Sequence, residues 1–183
     1  VAIAPDKRAL LPGQTASFAN YTSYSLGING IMVDIAGLAG TPTVDDFEFR
    51  VGNDDDPATW ATAPAPVDVT VRPGEGNNAS DRVTIIFPDN ELQKQWLQVT
   101  ILANENTGLE EPDVFYFGNA VAESGNSPTS AFVTVTDELK ARNYTHNFRP
   151  GYRALVSDPY DYNKDSFVTV TDELLARNNA TSF

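Results

Sequence analysis

Asp161–Tyr162–Asn163–Lys164–Asp165–Ser166–Phe167–Val168–Thr169–Val170–Thr171–Asp172 is the stretch whose reading decides the architecture of the C-terminal part. Side-chain oxygens fall at positions 1, 3, 5 and 12, and a β-branched residue falls at position 8. Alternate residues of a tightly wound loop point inward, so Asp161, Asn163 and Asp165 can converge. The backbone carbonyl of Phe167 and the carboxylate of Asp172, on the first turn of an exiting helix, would close the shell. A hard cation wants about six to eight oxygens, and a curling loop supplies them without a preformed pocket. The spacing is that of a calcium loop, with three carboxylates and one amide.

Twelve residues of this region occur twice. Phe132–Val133–Thr134–Val135–Thr136–Asp137–Glu138–Leu139–Lys140–Ala141–Arg142–Asn143 returns 35 residues later as Phe167–Asn178, with eleven of twelve positions identical. Self-similarity this strict marks two copies of one loop–helix unit. The same spacing counted back from Asp137 puts Asn126 at position 1, Pro128 at 3, Ser130 at 5 and the Phe132 carbonyl at 7. Pro128 offers no side-chain oxygen, and Asn126 and Ser130 are neutral. One formal charge against three predicts a weaker Ca²⁺ site, or a loop that persists only as a folded shell. Thr136 and Thr171, each followed by two acids, are expected as helix N-caps. Leu139, Leu174 and Leu175 are expected to face inward, with Asn143 and Asn178 ending the helices.

Two tandem EF-hand-type loop–helix units with Asp at position 12 resemble a type I dockerin, over about the last 60 residues. The resemblance implies bound Ca²⁺ and recognition of another protein. In that family, recognition runs through helix residues near loop positions 10 and 11, here Val135, Thr136, Val170 and Thr171. Near-identity of the two units implies two equivalent faces. The chain departs from the family in the length of the segment between Tyr144 and Tyr160.

Residues 1–120 read differently. Ile28–Ile35, Phe47–Val51, Val67–Arg72, Arg82–Phe87, Trp96–Leu102 and Asp113–Phe117 alternate apolar and polar residues in short runs split by Gly, Pro, Asn and Asp. Gly13–Ala19 is a further candidate strand. Period-two alternation in seven or eight such runs predicts an antiparallel β-sandwich. The expected fold is mostly β: a sandwich over residues 1–120, then a small α-helical dockerin-like lobe over 121–183. No flexible linker separates the two, so the lobe is expected to dock on the sandwich as a fixed unit.

Composition narrows function. The formal charge is −13, and the acids are spread along the chain. There is no basic stripe to neutralise phosphates, which argues against nucleic acid. No cysteine is present, so disulfides and thiolate metal sites are out. A secreted domain without disulfides can use calcium as its staple. No apolar run is long enough to span a bilayer. The start at Val1 suits a processed chain. His146 is the only histidine, and no nucleophile elbow occurs, so no enzyme is expected. Trp60, in a Pro/Ala-rich loop, is expected to pack in the core or at the sheet edge, with sugar stacking as the alternative. Asn53–Pro57 reads as a solvated acidic turn, with a further Ca²⁺ site as the alternative. The expectation is a non-catalytic, calcium-stabilised, secreted or cell-surface module that contacts another protein or another copy of itself. The alternatives are a fibre or matrix subunit and a carbohydrate-binding module.

Overall fold

A computed structural model describes residues 4–144, 151 and 153–181. His146 lies outside the described residues. Among the described residues there are eight strands: β1 (Tyr21–Thr22), β2 (Gly30–Ile35), β3 (Phe47–Gly52), β4 (Ala61–Thr62), β5 (Asp68–Arg72), β6 (Asp81–Ile86), β7 (Trp96–Ile101) and β8 (Asp113–Asn119). Two helices follow, α1 (Val135–Asn143) and α2 (Val170–Asn178). The chain is mostly β. One sheet has five strands in the order β1-β8-β7-β3-β4, and the other has three in the order β2-β6-β5.

The alternation read in the sequence is what joins the sheets. Phe47 and Phe49 of β3, Leu97, Val99 and Ile101 of β7 and Phe115 of β8 turn toward Ile31 and Ile35 of β2 and Val83 and Ile85 of β6. Val83, Ile85, Leu97 and Val99 are fully buried. Polar partners at the intervening positions face outward, as a half-buried strand requires. Val67 departs from the alternation read over Val67–Arg72: it lies before β5 and is exposed, while Val69 and Val71 pack on the core.

The expectation of a wholly antiparallel sandwich needs one correction. β1 pairs in parallel with β8, Tyr21 opposite Gly118 and Thr22 opposite Asn119. The expected strand at Gly13–Ala19 does not form. Gly13 adopts φ +78°, and the backbone N–H of Ser17 donates to Asn20 Oδ1 at 2.8 Å, which winds Phe18–Asn20 into a 3-10 turn. That turn delivers Tyr21 to the edge of the larger sheet.

A second, smaller core lies beyond β8. Val121, Ala122, Val133, Ala141, Ala154, Tyr162, Val168 and Ala176 are buried together, with Tyr160 and Leu175 against them. The chain passes into it without a break: Ala120 N–H donates to the Thr22 carbonyl and Ala122 N–H to the Ser23 carbonyl, both at 3.0 Å. Ser25 N–H reaches across to the Tyr162 carbonyl at 2.8 Å. Among the described residues no helix is long and apolar enough to cross a membrane.

Trp60 belongs to the sheet. It is buried, its indole N–H donates to Asp54 Oδ1 at 2.9 Å, and its ring meets Tyr116 edge-on at 5.9 Å. The ring lies on Gly52, where a Cβ would collide with it. Gly52→Ala is therefore expected to destabilise the sandwich by about 1–3 kcal/mol through overpacking. Urea unfolding followed by tryptophan fluorescence checks this, and an unchanged midpoint would show that the indole can move aside freely.

Candidate metal centre

The repeated F-V-T-V-T run is β-branched and stays extended until a threonine can cap a helix. Thr134 (φ −130°, ψ 176°) and Thr169 (φ −136°, ψ −174°) are the N-caps, two residues earlier than the expected Thr136 and Thr171. Each accepts a hydrogen bond from the backbone N–H two residues on, at 3.2 Å. The acid at the third helical position returns the bond: Thr134 N–H donates to Asp137 Oδ2 at 2.8 Å, and Thr169 N–H to Asp172 Oδ2 at 2.9 Å. Reciprocal pairing of this kind fixes the first turn. It also buries both carboxylates completely.

In the second loop, Asp161 and Asp172 meet at the base. Asp172 Oδ1 accepts from the Tyr162 N–H at 2.7 Å and the Asn163 N–H at 3.4 Å. Burial raises the Asp172 carboxyl above its ordinary range against these bonds. Asp161 is 1% exposed. Its Oδ2 accepts from the Ser166 N–H at 2.9 Å, and its Oδ1 is buried with no hydrogen-bond partner among the described residues. Burial pushes the Asp161 carboxyl up to about 6, opposed by the nearby Lys164 ammonium and reinforced by Asp172 and Asp165.

The loop between them is wound by its own side chains. Asn163 Oδ1 accepts from the Asp165 N–H at 3.0 Å, and Asp165 Oδ1 from the Phe167 N–H at 2.8 Å. These are Asx turns, which Asn and Asp make more readily than other residues. They hold Lys164 (φ 55°) and Ser166 (φ 73°) in the left-handed region without a glycine. Asp165 is exposed, and its Oδ2 accepts from Asn163 Nδ2 at 3.0 Å. Among the described residues no three acidic or histidine side chains converge as a metal cluster. Two of the three expected carboxylates are at the base of the loop, and the third is turned to its own neighbour.

The first loop is closed differently. Asn126 Nδ2 donates to Asp137 Oδ1 at 2.6 Å, joined by the Ser124 N–H at 3.0 Å and the Ser124 hydroxyl at 2.7 Å. The Thr134 hydroxyl adds a bond to Oδ2 at 3.0 Å. Ser130 Oγ accepts from the Phe132 N–H at 3.2 Å in a local surface turn, and Phe132 is half exposed. The structure thus joins Asn126 to Asp137, while Ser130 bonds within its own turn.

The register read from the sequence missed Glu123. Its side chain is fully buried. It accepts from the Tyr21 hydroxyl at 2.6 Å, the Gly125 N–H at 2.8 Å and the Asn126 N–H at 3.3 Å. Ser124 N–H binds Asp137 as Tyr162 N–H binds Asp172, so Glu123 holds the place of Asp161. The first loop runs from Glu123 to Asp137 and is three residues longer than the second. An acid directly after the apolar Ala120–Val121–Ala122 run was the available signal.

The helices pack on each other through charge. Arg142 Nη2 donates to Glu138 Oε1 at 2.7 Å and Glu173 Oε1 at 2.8 Å; Arg177 Nη2 donates to Glu138 Oε1 at 2.8 Å and Glu173 Oε1 at 2.7 Å. The inward positions are Asp137 and Ala141 on α1, and Asp172 and Ala176 on α2. Leu139 and Leu174, expected inside, are 40% and 41% exposed. Val135 and Val170 are 65% and 64% exposed, beside exposed Thr136 and Thr171. Two matching apolar pairs, Val135 with Leu139 and Val170 with Leu174, therefore stand one turn apart on the surfaces of the helices. The chain matches no protein-family model, no curated protein and no solved structure.

Proposed function

We propose that the chain is a non-catalytic, calcium-stabilised module for protein–protein interaction or assembly outside the cell, with a β-sandwich carrying a dockerin-like C-terminal lobe. The observation that carries this reading is the unpartnered Oδ1 of Asp161, buried beside Asp172 in a loop of calcium-binding spacing. A buried carboxylate oxygen without a donor costs free energy that a cation would recover. The donor set fits: Asp161 and Asp172 at the base, Asn163 and Asp165 on the winding, and the Phe167 carbonyl at position 7. All are hard oxygens, which suit Ca²⁺ over softer metals. Bound Ca²⁺ would neutralise the two basal carboxylates and fix the loop against α2.

The first loop stands as a folded shell in this reading. Asp137 already has five donors, and one of them, the Asn126 amide, is an expected ligand of that loop. Recognition is assigned to Val135, Thr136, Val170 and Thr171, with Leu139 and Leu174 extending the apolar surface. A fibre or matrix subunit is the same contact made between copies, which propagates if the rotation does not close. The carbohydrate-binding alternative loses its platform, because Trp60 is packed on Gly52 and Tyr116.

Calorimetric titration of the full chain with Ca²⁺ is expected to show one strong binding event, abolished by Asp161→Asn. That variant keeps the volume and leaves the Asp172 cap in place. Binding that survives the substitution would remove the metal assignment. Calcium is further expected to raise the melting temperature of the wild-type chain and not that of the variant, since binding to the folded state alone is stabilising.

The outer helix face is tested separately by the double substitution Val135→Glu and Val170→Glu. Both side chains are mostly solvated, so stability is expected to change by no more than about 0.5 kcal/mol. Light scattering in calcium is expected to show self-association of the wild type and its loss in the variant. A wild-type chain that remains monomeric at every concentration would eliminate self-assembly and leave a different protein as the partner. A large fall in melting temperature would show that the two valines serve internal packing.

A further inference from the structure

We propose that the first loop is a metal-independent joint that locks the C-terminal lobe to the sandwich, with Tyr21 of β1 and Glu123 as its bolt. Three observations meet here. Glu123 occupies the place that Asp161 holds in the second loop, yet its carboxylate has three protein donors where Asp161 has one. One of those donors, the Tyr21 hydroxyl, comes from the sandwich, 102 residues away in sequence. The next residue but one, Gly125, lies under the ring of Phe18: a Cβ there would sit 2.6 Å from Cγ, and its φ of +70° is itself left-handed.

Phe18 and Tyr21 form a single aromatic unit, meeting edge-on at 5.4 Å, and Tyr21 meets Trp96 of β7 at 6.4 Å. The ammonium of Lys7 lies 3.6 Å from the centre of the Phe18 ring and donates to the Phe18 carbonyl at 2.9 Å. Contacts from Lys7, Phe18 and Trp96 thus fix the element that presents Tyr21 to Glu123. Burial and the Glu123 charge both hold the Tyr21 hydroxyl far above its ordinary range, so it remains a donor at any physiological pH.

Donor supply separates the two loops. Among the described residues, Glu123 and Asp137 share eight protein donors, whereas Asp161 and Asp172 share four. A buried carboxylate is stable when donors saturate it and unstable when they do not. The first loop therefore closes on protein groups alone. The inference stands on the geometry of that loop and holds whether or not the second loop takes calcium.

Amide hydrogen exchange of the full chain in chelator tests it. In the wild type, Glu123–Asn143 is expected to keep its protection without metal. Tyr21→Phe removes the hydroxyl and keeps the ring. It is expected to raise exchange at the Gly125 and Asn126 amides roughly ten- to a hundredfold, the worth of one charge-assisted hydrogen bond, and to leave β3 and β7 unchanged. Gly125→Ala is expected to loosen the same segment through the Phe18 ring. Unaltered exchange at Gly125 and Asn126 in Tyr21→Phe would overturn the proposal. So would loss of protection across Glu123–Asn143 when the wild type is chelated, or a second Ca²⁺ event in calorimetry that Glu123→Gln removes. Loss of the calcium event in the second loop alone bears on the metal assignment and leaves the joint intact.

Discussion

A carboxylate buried at the third position of a helix is the interaction on which the C-terminal lobe depends. Asp137 and Asp172 each cap the first turn of their own helix and anchor the start of the loop that precedes it. One side chain closes two structures at once. The lobe has only a small apolar core, made of four alanines, three valines, one tyrosine and little else, so such polar closure takes a larger share of its stability than it would in the sandwich. The arrangement also constrains the loops. A carboxylate taken out of water needs donors or a cation, and each loop must supply one or the other.

The two loops answer that requirement in different ways, and the difference follows from a few residues. Ser124 brings a hydroxyl and Asn126 an amide to Asp137, where the second loop has only backbone N–H groups of Tyr162 and Asn163. Tyr21 brings a hydroxyl to Glu123, where Asp161 has only the Ser166 N–H. The second loop meets the sandwich through the Tyr162 carbonyl, which accepts from Ser25, and through no donor to Asp161. An acidic chain with a formal charge of −13 carries self-repulsion that makes an unneutralised pair of buried carboxylates more costly still.

Much of this was legible in the sequence. Period-two alternation located six of the eight strands, because a strand buried on one face must alternate. Tyr21–Thr22 and Ala61–Thr62 escaped, since two residues carry no period, and the parallel pairing of β1 with β8 depends on the turn at Ser17–Asn20 rather than on any pattern. The repeat identified both helices and their C-terminal ends. It misplaced the caps, because T-D-E resembles a capping start as closely as T-V-T-D does; the acid that pairs with the cap decides between them. Leucine was expected inside on hydrophobicity, but the close approach of α1 and α2 leaves room for Ala141 and Ala176 there and turns Leu139 and Leu174 outward. The register of the first loop was counted from a fixed length, and an inserted loop of three residues hid Glu123 from that count.

The repeat is longer than any one of these roles requires, and its residues can be divided among them. Asp137 and Asp172, with Thr134 and Thr169, cap the helices. Ala141 and Ala176 let them approach. Glu138, Arg142, Glu173 and Arg177 form a four-charge ring in which each arginine bridges both glutamates, so a change in one copy would unbalance the other. Exposed ion pairs contribute little to stability singly, and the ring is better understood as setting how the two helices align. On the helices, the matching exposed apolar residues Val135, Leu139, Val170 and Leu174 stand outside these roles. No internal role described above uses them, and a solvated helix surface would tolerate polar residues at all four positions. They match in type and spacing between the copies, and they are the residues that a surface for contact would need.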